Sequence, residues 1–132
     1  MTKLQKAGAL YIKDKKLMIV KPRGKPYFIN PGGKYEDGET ARRCLDRELK
    51  EELNVELISC EHYKTYDIKK AAHSDHSLSL ELYFVSFEGD PKPSAEVEKI
   101  AWLSVANFES GKFNLAPSFY VYVTDLIKDG FL

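Results

Sequence analysis

Three glutamates constrain this chain more than any other feature. Glu48, Glu51 and Glu52 stand at positions i, i+3 and i+4 in the run Arg47-Glu48-Leu49-Lys50-Glu51-Glu52-Leu53. At about 100° per residue they fall within about 100° of one another, on one face and one turn of a helix. Carboxylates this close repel, and they are tolerated where cations sit among them or some stay protonated. A charged cluster on a helix is most often a solvated face. Here Ala41, Cys44, Leu45, Leu49 and Leu53 form the apolar stripe, and Glu48 and Glu52 fall inside its edge. Arg43, Asp46, Arg47 and Lys50 make the natural solvated side. Carboxylates that intrude on a face destined for burial break the local rule, and such breaks tend to mark function. Oxygen ligands at this density suit Mg²⁺, Mn²⁺ or Ca²⁺.

The stretch before the helix is glycine-rich, running Asn30-Pro31-Gly32-Gly33 and then Lys34 to Glu39. The double glycine permits close backbone approach to a ligand. Thr40 is a fair N-cap, which places the helix over Ala41 to Leu53. Read together, the segment is Gly, five residues, Glu, seven residues, then Arg-Glu-aliphatic-x-Glu-Glu-x-x-aliphatic. Gly33, Glu39, Arg47, Glu48, Leu49, Glu51, Glu52 and Val55 fill those positions.

This pattern resembles the signature of the Nudix hydrolases. One position departs from it: Asn54 stands where the family has Gly. That residue would take the left-handed conformation after the helix, where Asn is the next best choice. The resemblance implies hydrolysis of a pyrophosphate bond in a nucleoside diphosphate linked to a further group X. It implies an α/β/α sandwich with a mixed sheet, covering residues 1–132 as one domain, and Mg²⁺ or Mn²⁺ as cofactor. By motif position Glu48, Glu51 and Glu52 would ligate metal, with the Gly32 carbonyl as a further ligand in MutT-type members. Glu39 and Arg47 would form a structural ion pair between loop and helix. In many members a Glu precedes, by six residues, a Trp that ends a late strand. Glu96 and Trp102 have that spacing, so Glu96 is the candidate fourth ligand or general base, with Glu98 as competitor. Glu51, Glu52 and Glu96 are the catalytic candidates, and which of them deprotonates the water stays open.

Arg23 and Lys34 are candidate phosphate contacts, because both lie in basic, glycine-containing loops near the motif. Tyr27 and Phe28 offer rings to stack on a base, one of them being expected in the core. Asn114 lies where MutT-type members read a purine edge, against a competing role as a helix cap. His73, Asp75 and His76 fit no ligand spacing and read as a polar surface loop.

The remaining chain suits a small α/β domain. Its 132 residues allow one domain with a real core, and 43% hydrophobic and 30% charged residues are ordinary for a globular protein. A formal net charge of zero argues against an extended nucleic-acid surface. The apolar runs are too short for a membrane span, and no h-region follows Met1 to Lys6. Two cysteines without metal spacing read as reduced thiols of a cytoplasmic protein.

Ala7 to Tyr11 and Lys16 to Val20 read as a hairpin, and Glu56 to Asp67, Ser79 to Glu88 and Val97 to Leu103 as further strands. Lys69 to Ser77 reads as a polar loop. Leu80, Leu82 and Phe84 alternate with Tyr83, Val85 and Phe87, so the strand from Ser79 is central and covered on both faces. Val105 to Glu109 reads as a helical turn. Ala116 to Lys128 reads as an amphipathic helix with Pro117 in its first turn and Phe119, Tyr120, Val123, Leu126 and Ile127 inward.

The first function hypothesis is a small MutT-like hydrolase of nucleoside triphosphates or related diphosphate derivatives, monomeric or homodimeric. The chain has no proline at about 15 positions past the motif, as ADP-ribose-cleaving members tend to have, and no tyrosine at about 17, as dinucleoside-polyphosphate hydrolases do. The alternatives are a non-catalytic nucleotide-binding module of the same fold, disfavoured because all three carboxylates are kept, and a hydrolase of nucleotide sugars or RNA ends.

Overall fold

The computed structural model describes residues 3–68 and 77–132. The chain runs β1 (Lys3–Leu10), β2 (Ile12–Lys13), β3 (Lys16–Pro22), β4 (Gly32–Lys34), α1 (Ala41–Leu53), β5 (Glu56–Ile68) and β6 (Ser77–Glu88). It closes with β7 (Val97–Leu103), α2 (Val105–Ser110) and α3 (Phe119–Lys128). One sheet has the order β4-β1-β6-β5, and β1 and β6 in it are parallel while the other pairs are antiparallel. A second, antiparallel sheet has the order β2-β3-β7. The expected mixed sheet between helices is therefore present, accompanied by this smaller sheet.

Strand alternation divides the interior in two. Leu17 and Ile19 of β3, Leu80 and Leu82 of β6, and Leu10 face α3, where Phe119, Tyr122, Val123 and Leu126 complete one core. Ala7 and Ala9 of β1 and Met18 and Val20 of β3 face α1, where Cys44, Leu45, Leu49 and Leu53 complete the other. Side chains that alternate into two covered faces explain the continuous buried run Leu17 to Val20.

Several expectations need correction. The turn at Asp14 and Lys15, both at positive φ, joins β2 to β3, so the hairpin is Ile12–Lys13 with Lys16–Leu17. β1 instead leaves for the mixed sheet. The stretch after Pro31 is strand β4 rather than loop, pairing Gly33 with Ala7 and Gly32 with Gly8. Gly32 sits at φ 128°, and a Cβ there would meet the Ala7 carbonyl oxygen at 2.1 Å. α3 starts three residues later than the periodicity predicts. The Ala116 amide is held by the Phe28 carbonyl, and Phe28 pairs with Leu115 in an isolated bridge. Pro117 therefore precedes the helix. Its buried face is Phe119, Tyr122, Val123 and Leu126, and Tyr120 is exposed.

α1 spans Ala41–Leu53 as predicted, and its end positions explain why. The Thr40 hydroxyl accepts from the Arg43 amide, and Asn54 adopts φ 57°, ψ 43° while its amide donates to the Lys50 carbonyl. Two carbonyls of the last turn are taken up from afar. The Ser94 amide donates to the Glu52 carbonyl at 3.0 Å and the Lys92 amide to the Leu53 carbonyl at 3.0 Å. The loop that leads into β7 is thus docked on the C-terminal end of α1.

Candidate active site

Glu48 and Glu52 are half-buried, as the wheel requires, and Glu51 is exposed. Glu48 and Glu52 lie against β4. The Gly32 amide donates to Glu52 Oε1 at 3.1 Å. A Cβ at Gly33 would lie 2.5 Å from the Glu48 carboxyl carbon, so the missing side chain is the space that Glu48 occupies. The two carboxyl groups thus sit on successive glycines of one strand. Burial raises the Glu52 carboxyl to about 9, opposed by the Gly32 amide and reinforced by Glu48 and Glu51.

Arg47 holds the loop to the helix. Its Nε donates to Glu39 Oε2 at 2.7 Å and one Nη to Glu39 Oε1 at 2.8 Å, a bidentate pair. The other Nη donates to Glu48 Oε1 at 2.7 Å, and the Lys34 carbonyl accepts from the guanidinium at 3.1 Å. Glu39 also accepts from the Glu36 amide at 2.8 Å. The Arg47 guanidinium, with the Glu36 amide, holds the Glu39 carboxyl at about 2. The geometry is that of the ion pair expected from the sequence, and it reaches further than expected, to Glu48. Asp46, assigned to the solvated face, accepts from the Leu57 amide at 3.3 Å and ties α1 to β5. Cys44 packs under the loop beside the Gly33 and Lys34 carbonyls, and burial raises its thiol to about 11. Cys44 and Cys60 are both free thiols.

Behind Gly32 and Gly33 lies a cavity of about 420 Å³, walled by Tyr27, Ile29, Leu78, Leu80 and Pro117 among others. A wider concavity of about 630 Å³ lies on the other side of the loop, lined by Glu36, Asp37, Glu39, Glu81, Tyr35 and Tyr83. Its acidic lining is unsuited to a polyanion, whereas the smaller cavity is apolar and opens at the backbone that touches Glu48 and Glu52.

The other sequence candidates divide. Tyr27 lines the cavity. Phe28 does not: its ring packs edge-on to Phe113 with centroids 5.3 Å apart, and it belongs to the α3-side core. Asn114 neither caps a helix nor lines the cavity. Its amide donates to the Pro26 carbonyl at 2.6 Å and ties down the loop that carries Tyr27. The exposed Arg23 is turned to the loop before β7, with Nε on the Ala95 carbonyl at 3.1 Å and its amide on the Glu96 carbonyl at 2.7 Å. Lys34 is exposed and lines the wider, acidic concavity rather than the smaller cavity. Glu96 is exposed in the loop that docks on the Glu52 and Leu53 carbonyls, next to the helix end, while Glu98 is engaged by Lys21 at 3.2 Å. His73, Asp75 and His76 lie outside the described residues. The reading missed Lys6, which lines the cavity and is electrostatically coupled to Glu48 and Glu52. In sequence it is one lysine in a polar N-terminal alternation, and nothing near it signals a site.

The residues fit a divalent cation on one observation. Glu48 and Glu52 lie half-buried against Gly33 and Gly32, and burial, with Glu48 and Glu51 close by, favours the protonated Glu52 carboxyl, a charge conflict that a cation would relieve. No three Asp, Glu, His or Cys side chains among the described residues converge as a preformed cage. In the described geometry Glu48 is turned onto Arg47 and Glu51 onto solvent.

With this geometry in hand, the comparisons are specific. The model of the NUDIX domain matches residues 3–124, and the chain belongs to that family of hydrolases acting on pyrophosphate bonds. The uncharacterized Nudix hydrolase YvcI of Bacillus subtilis is 31% identical over 118 residues, 83% of this chain and 72% of that protein. An 8-oxo-dGTP diphosphatase of Escherichia coli is 28% identical over 119 residues, 86% of this chain and 89% of that protein. The solution structure of the E. coli ORF135 protein superposes with a TM-score of 0.71 at 26% identity, covering 89% of this chain and 83% of the other. No helix among the described residues is long and apolar enough to cross a membrane.

Proposed function

We propose that the protein is a pyrophosphohydrolase of nucleoside or deoxynucleoside triphosphates that works with Mg²⁺ or Mn²⁺. The observation that carries this reading is the half-buried Glu48–Glu52 pair, reached through Gly32 and Gly33 from a cavity sized for a nucleoside. The 28% identical diphosphatase that acts on 8-oxo-dGTP supports a triphosphate substrate.

Glu48, Glu51, Glu52, Glu96 and the Gly32 carbonyl are the groups that would hold the cation, not all of them at once. A divalent cation bound there supplies charge to offset the polyphosphate and acidifies water at neutral pH. The chain's own residues do the rest by positioning. Arg47 fixes Glu48 through one arm and the loop through the other. Tyr27 and the apolar wall take the nucleoside, while Arg23, held on the Ala95 and Glu96 carbonyls, keeps its charge beside Glu96. Whichever of Glu51, Glu52 and Glu96 the cation leaves unengaged accepts the proton of the attacking water.

A panel of nucleoside triphosphates, nucleotide sugars and capped or triphosphorylated RNA, with Mg²⁺ or Mn²⁺, tests the reading by product identity. The expected products are a nucleoside monophosphate and pyrophosphate. Nucleotide binding with no turnover across the panel at neutral and alkaline pH overturns it in favour of a binding module.

A further inference from the structure

We infer that Lys6 is the anchor for the phosphoryl group that joins the nucleoside to the rest of the substrate. The inference rests on the reading that the smaller cavity receives the nucleoside, and it adds a residue that the motif does not contain.

Three observations place the ammonium there. Lys6 lies on β1 between Leu4 and Gly8, and all three line the cavity. In register it stands opposite Lys34 of β4 on one side and Leu80 of β6 on the other, so it occupies the border between the metal-motif strand and the apolar wall. The same cavity is lined by Gly32 and Gly33, which touch Glu52 and Glu48, so Lys6 shares it with the backbone that carries the carboxylates.

Lys6 is also costly where it stands. It is half-buried, and among the described residues no ion pair or side-chain hydrogen bond takes up its ammonium. Burial lowers its pKa, with Lys34 adding to the effect and Glu48 and Glu52 opposing it. A cation kept in an apolar cavity wall without a partner destabilises the fold, unless an anion arrives to complete it. Lys6 is the only charged residue among the described residues of that wall. An ammonium offers three donors and no acceptor, so it suits a phosphoryl oxygen better than a base edge that mixes donors and acceptors. A nucleotide with its nucleoside against Tyr27 and Leu80 and its chain of phosphates leading to Glu48 and Glu52 must pass one phosphoryl group across this border. The same contact would hold the monophosphate product.

Isothermal titration of the wild type, Lys6→Met and Lys6→Arg tests this. The probes are the four common 2′-deoxynucleoside 5′-monophosphates and the matching nucleosides, each with and without Mg²⁺. The wild type should bind at least one monophosphate about tenfold or more tighter than its nucleoside, as a charge-assisted contact allows. Lys6→Met should erase that difference and leave nucleoside affinity unchanged, and Lys6→Arg should keep most of it. Methionine matches the length and apolar surroundings, so the variant should melt no lower than the wild type. Should it fail to fold, Lys6→Gln serves in its place.

A wild type that does not prefer monophosphates overturns the inference. So does a Lys6→Met protein that loses nucleoside and monophosphate equally, or loses neither. Lys6-dependent monophosphate binding without turnover of any triphosphate would sink the proposed function and leave this inference standing. Turnover that is indifferent to Lys6 would do the reverse.

Discussion

The carboxylate helix and the mostly apolar cavity touch at Gly32 and Gly33, yet they are built in opposite ways. The helix and its loop are a local construction. Thr40, Asn54, the Glu39–Arg47 pair and the Gly33–Glu48 contact all join residues within one stretch from 33 to 55. The cavity is assembled from distant pieces: β1, the segment around Tyr27, the start of β6 and the residues before α3. A local construction can be held constant while a dispersed one is rebuilt one wall at a time. This division separates the reaction type, which the family fixes, from the proposed substrate, whose walls lie far apart in the chain.

The contrast can be broken most sharply at Glu52. Glu52→Gln should lower kcat by about a thousandfold with the fold retained, checked by circular dichroism and steady-state kinetics. The same variant carries a pH signature. The folded wild type without a cation keeps a proton on Glu52 up to about 9, whereas the unfolded chain releases it near 4.5. Between those values the unfolded state binds fewer protons, so cation-free stability should fall as pH rises. Glu52→Gln should flatten that fall in thermal melts across the range.

Gly33→Ala comes next. The added methyl meets the Glu48 carboxyl at 2.5 Å, so that side chain must move. An activity loss of about a hundredfold is expected, with a stability cost of about 1–3 kcal/mol measured by denaturant titration. Tyr27→Ala probes the other region. It should raise KM by about tenfold and change kcat little, the pattern of lost ground-state binding. A large fall in kcat instead would mean that the cavity also positions the reacting group.

Smaller effects sharpen the picture of the loop. The Glu39 carboxyl is held at about 2 by Arg47, against 4.5 when unperturbed. Its contribution is complete above the unperturbed value and lost as pH falls toward about 2. Glu39→Gln should therefore melt lower than the wild type at neutral pH and converge with it in acid. Asn54→Ala places a residue with a Cβ and no compensating side chain at φ 57° and should cost about 1 kcal/mol in denaturant unfolding.

The same contrast explains what could be read in advance. α1 was readable to its last residue because its capping signals and its stripe are adjacent in the chain. The ion pair was readable through resemblance, since its partners keep a fixed spacing. β1 was misread as half of a hairpin because its partner β6 begins 74 residues after it, at Ser77 against Lys3, and no local pattern announces a parallel pairing. Lys6 was invisible for the same reason. Tyr120 reads as inward because it is aromatic and lies next to Phe119 and three residues before Val123; the core instead takes the adjoining stripe Phe119, Tyr122, Val123 and Leu126, which leaves Tyr120 outside. Position alone offers Asn114 as a substrate contact or a helix cap, and its amide is instead taken by the Pro26 carbonyl.

The docking of the loop before β7 on α1 has a consequence for how this chain can change length. The Lys92 and Ser94 amides sit on successive carbonyls of the helix end, and Glu96 follows two residues later. An insertion between Ser94 and Glu96 would leave the clasp closed and would open instead the Val97–Ser94 turn and the Arg23 contacts to Ala95 and Glu96. One between Asp90 and Lys92 would shift the register of both amides against the helix, and with it everything up to Trp102. Natural length variation in this loop should therefore gather after Ser94, and grafting a longer segment there should be the gentlest way to reposition Glu96.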